Sequence, residues 1–86
     1  IDVIDFKKAG VIVELGPGSG PVTLELLKKM ESDSKLIVFE TSKSFCRELK
    51  KIGDSRLIIW NESALDMEEH LAGYAVDYII SGIFNT

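Results

Sequence analysis

A glycine-rich turn between a short apolar run and an amphipathic segment constrains this chain more than any other feature. The run 11–15 (VIVEL) is almost wholly apolar, as expected of a strand that is buried on both faces of a parallel sheet. It leads directly into the loop 16–20 (GPGSG), and Pro21 opens a segment with helical spacing. Glycines at a strand-to-helix turn let a ligand approach the backbone closely, so the sequence predicts a binding loop here.

The spacing of the glycines argues against two common nucleotide-binding loops. A dinucleotide fingerprint, G-x-G-x-x-G, would place its third glycine where this chain has Pro21. A Walker A loop would need Lys followed by Ser or Thr at the start of the helix, and neither is present. What remains is acid-x-G-x-G-x-G, formed by Glu14, Gly16, Gly18 and Gly20. A glycine-rich turn that binds no ligand is the alternative at this point.

Strand and helix patterns alternate along the whole chain. The apolar runs predict strands at 11–15, 36–40, 57–60 and 75–81. Helical spacing follows the loop, begins again at Ser42 with Phe45, Leu49 and Ile52 on one side, and returns from Ser63 to about Leu71. This alternation predicts a Rossmann-like three-layer α/β sandwich with a parallel sheet of about four strands. Residues 1–10 are expected to form an N-terminal arm or a short helix.

Length and charge limit the range of functions. With 86 residues and a net charge of −4, the chain can form one small domain, 1–86, and it has no clustered basic face of the kind that nucleic-acid-binding proteins use. Polar residues interrupt the apolar runs too often for a membrane span or a secretory signal. We therefore expect a cytoplasmic domain with no nucleic-acid partner. The start at Ile1 and the end after an apolar run indicate a piece of a longer protein.

Acidic residues fall at the carboxyl ends of the first three predicted strands, where open α/β sheets bind ligands. They are Glu14, Glu40 and Glu62. A carboxylate at the position of Glu40 can accept both ribose hydroxyls of an adenosine. The alternatives are a solvated strand-end acid for Glu40 and, for Glu62, an acid that interacts with the N-terminus of the next helix.

Residues outside this pattern are interpreted as structural. His70 is expected to be a solvated helix residue, and Trp60 and Tyr78 are expected to take part in packing. Two interpretations are open for Asp77, at the start of the fourth strand: an acid that orients a loop or, more simply, a solvated surface acid. The single cysteine, Cys46, is expected to be reduced and semi-buried in the core, because no second cysteine is present for a disulfide.

The string VIVELGPGSGPVTLELL, residues 11–27, resembles the first motif of class I S-adenosylmethionine-dependent methyltransferases. It is similar both to bacterial phospholipid N-methyltransferases and to ribosomal RNA adenine dimethyltransferases, which share E-x-G-P-G-x-G-x-x-T. The adenine dimethyltransferases end their fourth strand in Asn-Leu/Pro-Pro-Tyr, whereas this chain reads SGIF at 81–84. Ser81-Gly82-Ile83 resembles the phospholipid type, with Phe84 where that type has proline. The resemblance covers about residues 10–84 and is weakest at Glu62 and Ser81.

This resemblance implies S-adenosylmethionine as a small-molecule cofactor and methyl transfer as the reaction of the intact parent, with a phospholipid amine at a membrane surface as the acceptor. The loop would hold the methionine part, Glu40 the ribose, and Glu62 the adenine amino group. The predicted cofactor-binding residues are Glu14, Gly16, Pro17, Gly18, Ser19, Gly20, Glu40, Thr41, Glu62, Ser63 and Ser81. Methyl transfer from a sulfonium needs positioning more than a protein acid or base, so no catalytic residue and no metal site are assigned.

The resemblance also implies a truncated fold. Family members carry a seven-stranded sheet, and this chain would supply only four strands, in the order 3-2-1-4. It is therefore expected to be a cofactor-binding half-domain that is inactive by itself. A sheet that ends at the fourth strand leaves an apolar edge, so a homodimer through that edge is also expected. The competing hypothesis is a non-catalytic truncated nucleotide-fold module that acts in binding or self-assembly.

Overall fold

Four apolar runs form the strands of one parallel sheet. In the computed structural model, which describes residues 3–81, they are β1 (Val11–Leu15), β2 (Lys35–Phe39), β3 (Leu57–Trp60) and β4 (Tyr78–Ser81). The strand order is β3-β2-β1-β4, and every neighbouring pair is parallel. The predicted four-stranded sheet and its 3-2-1-4 order are confirmed.

Helices connect the strands, and side chains cap two of the helical segments. The helices are α1 (Pro21–Lys29), α2 (Lys43–Lys50) and α3 (Met67–Leu71), with a short 3₁₀ turn (Ala64–Asp66) immediately before α3. Proline suits the first position of a helix, because its missing N–H is not needed there. At the start of α2 the Ser42 hydroxyl accepts the backbone N–H of Phe45 at 3.2 Å, and Ser63 accepts that of Leu65 at 3.1 Å.

Alternate strand residues point to opposite faces of the sheet, and each face carries its own core. On the face that contacts α1 and α2, the core contains the fully buried strand residues Ile12, Leu36 and Val38 and the fully buried helix residues Leu26 and Leu49. The opposite face contains Val13, Ile37 and Phe39, and Met67 and Leu71 of α3 pack against it. This arrangement is the predicted three-layer sandwich, and it leaves β1 and β2 buried while β3 and β4 at the edges are only half-buried.

The fourth strand begins at Tyr78 and is shorter than its apolar run, and the preceding residue, Asp77, makes side-chain contacts with the start of β1. Its carboxylate Oδ2 accepts the backbone N–H groups of Gly10 and Val11 at 2.7 and 2.9 Å. Asp77 is an exposed acid, as predicted, and its carboxylate also ties the start of β1 to the residue before β4.

The second helix buries Leu49 and Cys46 as predicted, but it leaves Phe45 outside the core. Cys46 and Leu49 are the buried residues of α2, whereas Phe45 is 42% exposed. The thiol of Cys46 donates a hydrogen bond to the carbonyl oxygen of Glu40 at 3.4 Å, a contact that requires this side of the helix to face the sheet. The prediction that Cys46 lies in the core is confirmed, whereas the predicted grouping of Phe45 with Leu49 on the buried side is wrong.

The N-terminal segment is an arm that packs on the core rather than a regular helix. Within it the Ala9 N–H donates to the Asp5 carbonyl at 3.0 Å, and the side chains of Ile4 and Ala9 are buried against the α1 face. Residues 1 and 2 of the predicted arm, and Gly82 and Phe84 of the fourth-strand motif, lie outside the described residues. Between residues 3 and 81 no helix has the length and apolar character needed to cross a membrane.

Candidate functional site

The glycine loop is held in a left-handed backbone conformation at the three glycines of the motif. Gly16, Gly18 and Gly20 have φ angles of 63°, 60° and 98°. The Gly16 N–H donates to the Phe39 carbonyl at 2.9 Å, and the Gly20 N–H donates to the Pro17 carbonyl at 3.1 Å. Residues with a Cβ rarely adopt these angles, so the local backbone explains why glycine recurs at this spacing.

Two of these glycines have very different surroundings. A Cβ on Gly20 would lie 2.9 Å from Cδ2 of Leu49, because α1 begins in close contact with α2. A Cβ on Gly18 would meet no heavy atom within 4 Å. Gly20 is therefore required by packing, whereas Gly18 leaves open space beside the backbone.

Glu40, the residue after β2, is buried and links the glycine loop to α2. Its Oε1 accepts the Gly18 N–H and its Oε2 accepts the Ser42 N–H, both at 2.9 Å. Glu40 is therefore not a solvated strand-end acid. A carboxylate offers about four acceptor sites, so each oxygen can still accept a further donor.

An open cleft of about 320 Å³ lies between the loop, the end of β2 and the turn after β3. Its lining is Gly16, Gly18, Phe39, Glu40, Thr41, Phe45, Glu62, Ser63 and Ala64. Six of these nine residues were predicted from sequence, and Phe39, Phe45 and Ala64 were missed. Phe45 could have been found, because it lies in the first turn of the helix that begins at the same end of the sheet as Glu40.

The other predicted residues, Glu14, Pro17, Ser19, Gly20 and Ser81, do not line this cleft. Pro17 and Gly20 are buried within the loop, and the side chain of Ser19 is exposed. Ser81 is the last residue of β4 and pairs in register with Leu15, so it lies at the same end of the sheet but beside the cleft.

Glu14 is fully buried beneath the loop, where it connects β1 to α1. Its Oε1 accepts the hydroxyl of Thr23, and Oε2 has no hydrogen-bond partner within the described part of the chain. Burial raises the pKa of this carboxyl, and the Thr23 hydrogen bond only partly opposes that effect. The contact explains the acid and the threonine of the motif as a pair that joins strand to helix.

An aromatic cluster lies against one side of the cleft. The ring of His70 is 4.1 Å from that of Trp60 and 5.9 Å from that of Phe39, measured between centroids. Nε2 of His70 is 4.0 Å from Oε1 of Glu62, a residue of the cleft lining. The prediction that His70 is a solvated helix residue is wrong, since its side chain is only 21% exposed.

A second, smaller cavity of about 230 Å³ lies between α2 and β3. It is lined by Lys43, Cys46, Arg47, Lys50, Ile59 and Asn61. The Asn61 side-chain amide donates to the carbonyls of Glu40 and Thr41 at 2.8 and 3.0 Å, which ties the ends of β2 and β3 together. Burial, and then the charge of Glu40, raise the pKa of the Cys46 thiol, so this cysteine favours the unreactive thiol form.

Comparison with known proteins identifies the fold. No protein-family model matches the chain. It is 35% identical over 69 residues, 79% of this chain and 25% of the other, to the ribosomal RNA small subunit methyltransferase A of Mycoplasma capricolum. It is 38% identical over 48 residues, 56% of this chain and 25% of the other, to the ornithine lipid N-methyltransferase of Singulisphaera acidiphila. A crystal structure of a putative O-methyltransferase from Klebsiella pneumoniae superposes with a TM-score of 0.73 at 23% identity, covering 84% of this chain and 36% of that chain.

The chain has the class I methyltransferase fold, and its sequence relatives are methyltransferases. It spans about a quarter of the length of the curated relatives that it matches. Within this class I fold, the glycine loop, Glu40 and Glu62 follow β1, β2 and β3 respectively, which brings them to one end of the sheet. The methyltransferase resemblance and the Rossmann-like architecture predicted from sequence are confirmed.

Proposed function

We propose that residues 1–86 form one S-adenosylmethionine-binding half-domain and that the cleft at the carboxyl ends of β1–β3 receives this cofactor. The methyltransferase relatives imply S-adenosylmethionine as the cofactor. One observation carries the assignment of the site: a buried carboxylate, Glu40, is held at 2.9 Å from the Gly18 N–H, beside open space over that glycine. The carboxylate can accept hydrogen bonds from ligand hydroxyl groups, and the open space over Gly18 admits a ligand close to the backbone.

The dimensions and chemistry of the cleft support the fit. Its volume of about 320 Å³ is at the small end of the range of about 300–1,000 Å³ that is typical of ligand pockets. Phe39 and Phe45 supply an apolar surface for an adenine ring, and the spare acceptor sites of Glu40 suit two ribose hydroxyls. Glu62 and Ser63, at the far side, supply polar groups for the adenine edge.

The cofactor would supply an electrophilic methyl group on a sulfonium centre. The residues of this chain would bind and orient it: Glu40 would hold the ribose, and the loop around Gly16 and Gly18 would hold the methionine part. Orientation of two reactants can account for most of the rate enhancement of such a displacement, so the cleft needs no acid or base of its own.

We extend the proposal to the acceptor, which we infer to be a lipid amine at a membrane surface. The ornithine lipid N-methyltransferase among the relatives supports this choice, and the net charge of −4 disfavours RNA as the acceptor. The test is incubation of the intact parent protein with methyl-labelled S-adenosylmethionine and either vesicles of an aminolipid or ribosomal RNA. Label in the lipid is the expected result, and label in RNA alone would overturn the inference.

The decisive experiment for the cofactor is calorimetric titration with S-adenosylhomocysteine and, separately, with NAD. We expect S-adenosylhomocysteine to bind and NAD not to bind. Glu40→Gln should weaken binding about tenfold to a hundredfold, because hydrogen bonds to a charged group contribute about 1.5–3 kcal/mol. Glu25→Gln, an exposed change on α1, is the matched control and should bind like the wild type. Equal affinity of Glu40→Gln and wild type would contradict the proposed site.

A second candidate function is a non-catalytic module that self-associates through its sheet edge. Ile79 of β4 is 52% exposed, and within the described residues β4 pairs only with β1. An unpaired strand edge with an apolar residue favours pairing with another copy. Sedimentation at several concentrations distinguishes the cases: concentration-dependent dimers that bind no S-adenosylhomocysteine would favour this module, and a monomer at high concentration would rule it out.

A further inference from the structure

We propose that the second cavity, between α2 and β3, binds a phosphate group through the side chains of Lys43, Arg47 and Lys50. The cavity has a volume of about 230 Å³, and no residue of the described chain lines both this cavity and the cleft proposed for the cofactor. It is therefore a separate site, and the proposal goes beyond the proposed function without depending on it.

The three cationic side chains lie along one face of α2. Positions 43, 47 and 50 are four and three residues apart, which are the spacings of neighbouring side chains on a helix surface. All three side chains are exposed to solvent, and all three line the same cavity. An anion that enters the cavity therefore meets three cations rather than one.

The stability of the helix itself does not explain this placement. Like charges at these spacings repel each other. The helix dipole favours Arg47 and Lys50, which lie in the last turn, but it disfavours a cation at Lys43, the first residue of α2. A bound anion would offset the repulsion among the three charges and would give Lys43 a favourable contact.

The described residues supply no ion-pair partner for this group of charges. Among residues 3–81, none of the three cations forms an ion pair. Glu48, a carboxylate on the same helix, pairs instead with Lys51 at 3.1 Å. The lining that the structure describes contains no acid, although the chain has 14 acidic and only 10 basic residues. The cavity is thus a local concentration of positive charge on an acidic protein.

The rest of the lining is uncharged. Ile59 of β3 is half-buried, and Cys46 is buried with its thiol bonded to the Glu40 carbonyl. The side-chain amide of Asn61 donates to two backbone carbonyls, so its N–H groups are engaged within the protein. Walls of low polarity screen the attraction between the cations and an anion less than water does, which strengthens it.

Phosphate is the anion that suits this set of donors. The planar guanidinium of Arg47 can donate two parallel hydrogen bonds to phosphate oxygens, and the two lysines add point charges. A phosphate offers three acceptor oxygens to the three cations, whereas a carboxylate offers two. The cavity is smaller than the roughly 300–1,000 Å³ of typical pockets for larger ligands, so it fits a phosphate group rather than a whole nucleotide.

The first measurement is a titration of the isotope-labelled protein with inorganic phosphate, followed by NMR, with chloride at the same ionic strength as the reference. We expect phosphate alone to shift the amide resonances of α2 and of residues 59–61 until they saturate. The triple variant Lys43→Gln, Arg47→Gln, Lys50→Gln should lose these shifts. Lys28→Gln removes an exposed cation from α1 and is the matched control, which should keep them.

The size of the effect follows from the exposure of the cations. Partly exposed charge pairs are weak, so Arg47→Gln alone should reduce the affinity for phosphate about two- to fivefold. Resonances outside α2 and β3 that stay unchanged in the variants show that these proteins remain folded.

The second measurement identifies the source of the phosphate group, which can be a soluble phosphomonoester or a lipid headgroup. The protein is sedimented with phosphatidylcholine vesicles that contain phosphatidic acid or, as the charge control, oleic acid. Binding to the phosphatidic acid vesicles alone, lost in the triple variant, assigns the site to a lipid headgroup. Amide shifts with inorganic phosphate but no vesicle binding assign it to a soluble phosphate compound.

The proposal is overturned if neither phosphate nor the phosphatidic acid vesicles bind, or if the triple variant responds as the wild type does. The affinity for S-adenosylhomocysteine is an independent readout, and it should be the same in wild type and triple variant because the three cations lie outside the cleft. A protein that binds phosphate but not S-adenosylhomocysteine would contradict the proposed function and confirm this site, so the two failures are distinguishable.

Discussion

The two glycines at the centre and the end of the loop should respond very differently to the same added methyl group. In Gly20→Ala an alanine has to adopt a backbone φ of 98°, which side chains with a Cβ rarely allow. Its new Cβ also lies 2.9 Å from Cδ2 of Leu49, a fully buried side chain. The left-handed backbone costs about 1–2 kcal/mol, and the displacement of a packed core side chain costs about 1–3 kcal/mol. We therefore expect the free energy of unfolding to fall by about 2–5 kcal/mol.

Gly18→Ala is the matched comparison, because its Cβ meets nothing within 4 Å and its φ of 60° is one that alanine can adopt with moderate strain. Only the backbone cost remains, so the expected loss is about 1–2 kcal/mol. Urea unfolding followed by circular dichroism measures both values. The folded Gly18→Ala protein should bind S-adenosylhomocysteine more weakly than the folded Gly20→Ala protein, because the methyl group at position 18 enters the cleft. Equal destabilisation by the two changes would refute the packing argument.

Three further predictions concern stability. Burial raises the pKa of Glu14, so the free energy of unfolding of the wild type falls as the pH rises and this carboxyl ionises. Glu14→Gln lacks this loss, and urea unfolding should show that it gains stability relative to wild type between pH 5 and 8. Hydrogen bonds from Arg56 lower the pKa of Asp54 to about 2, so this pair stabilises the folded protein above pH 4 and stops doing so as the pH falls towards 2. The free energy of unfolding of Asp54→Asn, measured at several acidic pH values, should therefore lack this part of the pH dependence. Asp77→Ala removes the acceptor of two backbone N–H groups and should lower the melting temperature, whereas Asp77→Asn should lower it less.

Several features of the binding end followed from local sequence. The run 11–15 is apolar except for Glu14, and the glycines at 16, 18 and 20 lie where the backbone is left-handed, so strand, loop and helix could be predicted together. Parallel strands bring their carboxyl ends to one edge of the sheet, so Glu40 and Glu62 could be placed there from their positions after apolar runs.

Other features depended on how the layers pack. Glu14 belongs to the same motif as the glycines, but its side chain is buried between β1 and α1. Only the three-dimensional structure shows that Glu14 accepts a hydrogen bond from Thr23. The face of α2 that meets the sheet was ambiguous, because Phe45 and Cys46 are adjacent and both are apolar. In the structure Cys46 is buried, and its thiol donates a hydrogen bond to the Glu40 carbonyl. Phe45, on the neighbouring side of the helix, therefore lies at the cleft.

The sequence by itself determined the order of the elements, the glycine loop and the acids that end the strands, because these depend on periodicity and on backbone angles over a few neighbouring residues. The tertiary structure alone decided which side chains share the cleft. Trp60 and His70 are ten positions apart, and neither residue predicts the other. They meet because α3 crosses the sheet over the ends of β2 and β3, a placement set by packing between layers rather than by any local pattern.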